Sequence, residues 1–125
     1  MSTTTYDDNN VFAKIIRGEL PCDKVHEDEH TLAFRDIQPQ APIHVLVIPK
    51  GRYASSVDFF AQASDAEIAA VMRSVAKVAG DLGLDGPGYR ILANHGRDAQ
   101  QIVPHFHVHI FGGKQLGRMI NVPAD

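Results

Sequence analysis

Near its C-terminal end the chain runs Pro104-His105-Phe106-His107-Val108-His109-Ile110-Phe111, so that three imidazoles alternate with apolar side chains. In an extended strand successive side chains point to opposite faces. Phe106, Val108 and Ile110 therefore face one way and require a core, while His105, His107 and His109 face the other. A slip of one residue would expose the apolar set, so the buried face also fixes where the histidines stand. Neighbouring imidazoles in the set start about 6.6–6.8 Å apart at the backbone. The fold must supply a sheet that gives this strand a core on one side.

The rest of the chain offers partners for that strand. In residues 10–18, positions 11, 12, 15 and 16 form one apolar stripe, with Asn9 or Asn10 as cap and Gly18 as terminator, which predicts a short helix. Residues 24–27 and 31–35 read as strands around a polar turn. Two prolines make 36–42 a loop, and the apolar, β-branched run 44–48 suggests a strand covered on both faces. Ser64 to Glu67 is a capping-box pattern. Ile68, Val71, Met72, Val75, Val78, Ala79 and Leu82 then recur at helical spacing until Gly83, which predicts one long helix. Residues 88–94 read as a strand, 95–104 as a polar loop and 105–111 as the last strand. The order and the short links predict an α+β domain, with an antiparallel sheet of about five strands, one long helix and one short helix. Residues 1–9 read as a flexible N-terminus, 10–113 as the domain and 114–125 as a polar tail.

A chain of 125 residues fits one domain. Hydrophobic residues at 44% and charged residues at 22% exclude a wholly disordered chain. A net charge of −3 argues against a nucleic-acid partner, which normally needs a basic face, but leaves room for a small anion at one local cluster. The lone cysteine, Cys22, permits no intrachain disulfide and fits a reducing compartment. No apolar run approaches ~18 residues, and Met1 to Asp8 lacks the regions of a signal peptide. The expectation is a soluble cytoplasmic protein that does not engage a membrane.

Imidazole serves as nucleophile, base, acid or metal ligand near neutral pH. The alternating set has three readings: a solvated polar face, a metal site or a catalytic centre. The outer imidazoles start about 13 Å apart, too far to share one ion, but His107 with one neighbour and His44 could hold zinc. As a nucleophile, a neutral His107 attacks phosphorus and leaves again, splitting one hard displacement into two easier ones. Its other ring nitrogen must then keep the proton and donate it to an acceptor such as a carbonyl. His109 is placed to donate to a phosphate oxygen, and His105 to position or tune His107.

The run His105 to Phe111 resembles the signature of the histidine triad (HIT) superfamily. Asn94, Gln101 and Val103 match the extended pattern, and residues 12–21 and 36–50 resemble its Hint branch. The resemblance covers residues 10–113. It implies a HIT-like fold, and a homodimer whose sheet continues across both copies. It also implies hydrolysis of purine nucleoside phosphoramidates to a monophosphate such as AMP, through a nucleotidyl-histidine and without metal or cofactor. By this likeness His107 attacks, while His109 and Asn94 hold the phosphate. Asp36 accepts the ribose hydroxyls, Phe12, Ile15, Phe34 and Ile37 line the base pocket, His44 joins the histidine network, and Gln101 and Ile102 border the substrate. An apolar slot accepts adenine or guanine alike. Plainer roles stand beside these: core for Phe12, Ile15 and Phe34, a loop cap for Asp36, a turn for Asn94.

The chain departs from the pattern in three places. Ile102 stands where many Hint proteins carry a serine, so no side-chain hydroxyl can donate there. Ala99-Gln100 replaces a flexible glycine pair. Asn10 and Ala13 occupy the region where some members bind zinc through two cysteines. The first departure keeps alive a nucleotide-binding regulatory module with little turnover; a dinucleoside polyphosphate hydrolase and a zinc enzyme are the remaining alternatives.

Overall fold

A computed structural model describes residues 5–124. Residues 1–4 and Asp125, at the ends of the expected N-terminal and C-terminal segments, lie outside the described residues. The elements in chain order are α1 (Val11–Ile16), β1 (Lys24–Glu27), β2 (Thr31–Arg35), β3 (Ile43–Pro49), α2 (Ser56–Gln62), α3 (Asp65–Asp81), β4 (Arg90–Leu92) and β5 (Val108–Gly112). The five strands form one antiparallel sheet in the order β1-β2-β3-β5-β4. Among the described residues no helix is long and apolar enough to cross a membrane.

Both faces of the central strands are covered, and the period of two sorts their side chains. Val45 and Val47 of β3, Ala33 of β2, and Val108 and Ile110 of β5 pack with Val71, Val75 and Val78 of α3. On the opposite face Leu46 and Ile48 pack with Leu32, Phe34 and Phe12, the last from α1. His44 and His109 alternate with the first set and so belong to the second face. α3 begins at the foreseen capping box of Ser64 and Glu67. It ends where Gly83, at φ 75°, takes the left-handed conformation that a side chain would disfavour.

Three features depart from the sequence reading. The first is an additional helix, α2, which begins at a capping box of Ser55 and Asp58 and buries Phe59 completely. Phe59 stacks on Phe106 with ring centroids 4.7 Å apart. The second is the start of the last strand. Pro104 has no N–H, the His105 N–H turns to the Val103 carbonyl (2.9 Å) and that of Phe106 to the Tyr53 carbonyl (2.8 Å). The ladder therefore begins at Val108, although Phe106 still enters the same core as Val108 and Ile110. The third lies in the N-terminal segment expected to be flexible. Asp8 makes a bidentate pair with Arg52 (2.8 and 2.9 Å), and the Tyr6 hydroxyl lies 2.6 Å from His105 Nδ1.

Phe106 links the strand run to the α2–α3 layer. Phe106→Ala is expected to destabilise the fold by about 3–5 kcal/mol, the range for truncating a buried aromatic. Urea unfolding reads this directly, and a loss under about 1 kcal/mol would contradict the packing described.

Candidate active site

The β3–β5 register sets Leu46 opposite His109 and His44 opposite Phe111. It brings the His44 and His109 rings together, with Nε2 of the first 2.9 Å from Nδ1 of the second. His107 turns its ring towards the same place, its centroid 4.9 Å from that of His109. The Phe12 ring meets the His107 ring edge-on at 5.0 Å.

The partners of each nitrogen assign the protons. His107 Nδ1 lies 2.6 Å from the His105 carbonyl oxygen. A carbonyl only accepts, so Nδ1 carries the proton and Nε2 is a bare lone pair. His105 Nε2 donates in the same way to the Pro49 carbonyl at 2.8 Å. The Gln40 N–H donates to His44 Nδ1 (3.1 Å). The His44 proton is therefore on Nε2, His109 Nδ1 accepts it, and His109 keeps its own proton on Nε2. One ring thus offers a lone pair and its neighbour an N–H.

Burial is the main influence on all four rings. It pushes His105 and His109 down to about 4, the neighbouring imidazoles adding to the effect. It lowers His107 as well, against the pull of the His105 carbonyl and Asp36, and lowers His44 against Asp36. Neutral imidazole is consequently the resting form of each at pH 7.

A cleft of about 490 Å³ opens over these rings. Its lining includes His107 and His109, and also Phe12, Ile15, Phe34, Asp36, Ile37, Asn94 and Ile102, each foreseen from the sequence. Phe12 and Phe34 are buried and serve as core and wall together, whereas Ile37 and Ile102 are 93% and 89% exposed. Asp36 Oδ1 accepts the Gln38 N–H (2.8 Å) and Oδ2 stands 3.5 Å from His44 Nε2, so it caps its loop and faces the cleft. His44, His105 and Gln101 stand outside the lining.

Gln101 is not where substrate binding was expected of it. Its side-chain amide braces the loop instead: Nε2 donates to the carbonyls of Ala54 (2.7 Å) and Val103 (3.0 Å), and Oε1 accepts the Gly96 N–H (3.2 Å). His95 adds a second tie, its Nδ1 2.7 Å from the Ser55 hydroxyl. The start of α2 thus anchors the loop that carries Asn94 and Ile102. Gln100, at φ 58°, adopts the left-handed conformation in this loop at a cost of about 1–2 kcal/mol. Cys22, Gln40, Leu46 and Gln100 also line the cleft and were given no site role by sequence reasoning. Of these, only Gln100 had a local signal, since it replaces a glycine of the resembling pattern.

Among the described residues one group could hold a metal by distance: Asp36, His44 and His109 offer ligand atoms within 4.8 Å of one another. The proton arrangement does not suit it. An ion on His44 Nε2 would force the proton onto Nδ1, where it would meet the Gln40 N–H head-on. These residues form a hydrogen-bond relay.

The residues matched by the HIT domain model are 17–116. The chain is 61% identical over 116 residues to a 13.2 kDa HIT-like protein of Azospirillum brasilense, covering 93% of this chain and 95% of that one. It is 40% identical over 113 residues to the purine nucleoside phosphoramidase of Escherichia coli (strain K12), covering 90% and 94%. The crystal structure of a histidine triad nucleotide-binding protein from Candida albicans superposes with a TM-score of 0.79 at 35% identity, covering 94% of this chain and 86% of that one.

The low proton affinity of His105 has a consequence for stability. Its folded value, about 4, lies below the ordinary 6.5. Between these values the unfolded chain binds a proton that the folded chain does not, so stability falls as the pH drops. Urea unfolding is expected to show a stability lower at pH 4.5 than at pH 7 by roughly 2 kcal/mol from His105, with His109 adding to the loss. Glu27, held down at about 2 by Lys24 and Lys50 in the folded chain, acts in the same direction, because its unfolded carboxyl begins to bind protons near 4.5. Equal stability at the two pH values would contradict a buried, neutral His105.

Proposed function

We propose that this chain, which belongs to the HIT domain family, is a purine nucleoside phosphoramidate hydrolase acting through a covalent nucleotidyl-histidine. The observation that carries this reading is the bare Nε2 of His107, facing the cleft beside a protonated His109 Nε2. The phosphoramidase of Escherichia coli, 40% identical over nearly its whole length, supplies the reaction class.

The His107 Nε2 lone pair forms a bond to the α-phosphorus, and the phosphorus–nitrogen bond breaks with its electron pair passing to the amine. The departing nitrogen takes a proton from solvent, while the His109 Nε2–H donates to a phosphate oxygen and keeps its proton. Water then attacks phosphorus and releases its proton to solvent. The bond to His107 breaks, releasing the monophosphate and restoring the ring. Asn94 holds phosphate oxygens, Asp36 accepts ribose hydroxyls, and the base lies among Phe12, Ile15, Phe34 and Ile37. We assign the dimer contact to β4 at the sheet edge, where Tyr89 and Ile91 are 39% and 42% exposed and a second copy would extend the sheet.

His107→Ala is expected to lower AMP release from an adenosine phosphoramidate by at least about 10³-fold. The wild-type kcat/KM should fall on acidification with a midpoint below 6.5, because burial lowers the nucleophile's proton affinity. Equal rates for the two proteins, or a midpoint above 7, would overturn the assignment. One observation favours a second reading. Ile102 brings no hydroxyl to the cleft, as in a binding module with little turnover, and calorimetric binding of AMP without any turnover of phosphoramidate would establish it.

A further inference from the structure

The His107 proton is held by a backbone carbonyl that no strand ladder holds. Residues 105–107 precede β5, and the oxygen that accepts from His107 Nδ1 belongs to His105. Two backbone bonds hold the peptide on either side, His105 N–H to Val103 and Phe106 N–H to Tyr53, and the His105 side chain adds a further restraint. The ring is fully buried, Nε2 donates to the Pro49 carbonyl (2.8 Å), and Nδ1 lies 2.6 Å from the Tyr6 hydroxyl. With the proton on Nε2, Nδ1 can only accept, so Tyr6 is the donor. Burial raises the Tyr6 hydroxyl above its ordinary value, which keeps that donor protonated. Tyr6 is itself gripped: the Arg52 guanidinium sits 5.2 Å from its ring centroid, and Arg52 is paired to Asp8. Tyr6 does not line the cleft.

We propose that Tyr6 is a positioning residue for the nucleophile: its hydroxyl clamps the His105 ring, and through it the carbonyl that orients His107. The N-terminal strap Tyr6–Asp8–Arg52 is then part of the machinery that sets the reaction rate, without touching substrate. This inference rests on the phosphoramidase reading for its kinetic expression, but the clamp itself is a property of the folded chain. Without the hydroxyl, a buried lone pair on His105 has no donor, and the carbonyl that steers His107 loses one of its restraints. Groups that bind the nucleotide, such as Asp36 and Phe34, are left in place, so the loss falls on kcat and spares KM.

Tyr6→Phe keeps the ring, its packing on His105 and its place under Arg52. The variant is expected to melt a few degrees, at most about 8 °C, below wild type and to stay folded at assay temperature. Its kcat on an adenosine phosphoramidate should be about two- to ten-fold lower, the worth of one neutral hydrogen bond, with KM unchanged. Long-range ¹H–¹⁵N spectra of the imidazoles should show His105 Nδ1 losing its hydrogen-bonded shift and the His107 Nδ1–H signal moving with it. A kcat equal to wild type, or a fall in kcat that tracks lost thermal stability or a raised KM, would overturn the proposal. If the wild-type protein itself hydrolyses no phosphoramidate, the functional reading fails and the spectra alone decide. Movement of the His107 signal in Tyr6→Phe supports the clamp, and an unmoved signal overturns it.

Discussion

A single hydrogen bond, from His107 Nδ1 to the carbonyl of His105 two residues earlier, organises this site. It decides which of two chemically similar nitrogens is bare and which way the bare one points. The His44–His109 pair does the complementary task. Because the Gln40 N–H occupies one side of His44, protons run down the relay in one sense and leave an N–H on His109. Lone pair and donor then stand on adjacent rings over the same cleft, which is what displacement at a phosphorus whose oxygens are held by an N–H requires.

Such an arrangement demands a two-sided sheet. Val45, Val47, Val108 and Ile110 secure β3 and β5 to α3, so the opposite face is free to hold imidazoles in register. α1 then covers that face with Phe12, which keeps His107 and His105 out of water. The same covering lowers proton affinity and holds the rings neutral, at the expense of stability in acid. Function and the expected loss of stability in acid therefore arise from one cause, the desolvation of imidazole.

The sequence makes some of this legible and conceals the rest for identifiable reasons. Alternation over 105–111 tells which apolar residues enter the core, because that depends only on the period of two. It does not tell that the ladder starts at Val108, which is set by Pro104 and by carbonyls of Val103 and Tyr53. α3 is plain from its stripe and cap, whereas α2 has only seven residues and little periodicity to show. Its signal is the Ser55 to Asp58 box. Placing Asp36, Asn94 and Ile102 at the cleft followed from resemblance and agrees with the geometry. Gln101 illustrates the opposite case. Nothing local distinguishes an amide that faces a ligand from one that braces a loop, and the deciding partner, Ala54, lies 47 residues away. Tyr6 is hidden in the same way, within a polar segment and 99 residues from the ring it contacts.

The central claim is that phosphorus bonds transiently to His107 Nε2. Rapid quenching of the protein with an adenosine phosphoramidate, followed by peptide mass spectrometry, tests it most directly. The account predicts a nucleotidyl adduct on the peptide and ring of His107 that forms and decays at the rate of turnover. AMP production with no adduct at any time, or with the adduct on His105 or His109 instead, would contradict it.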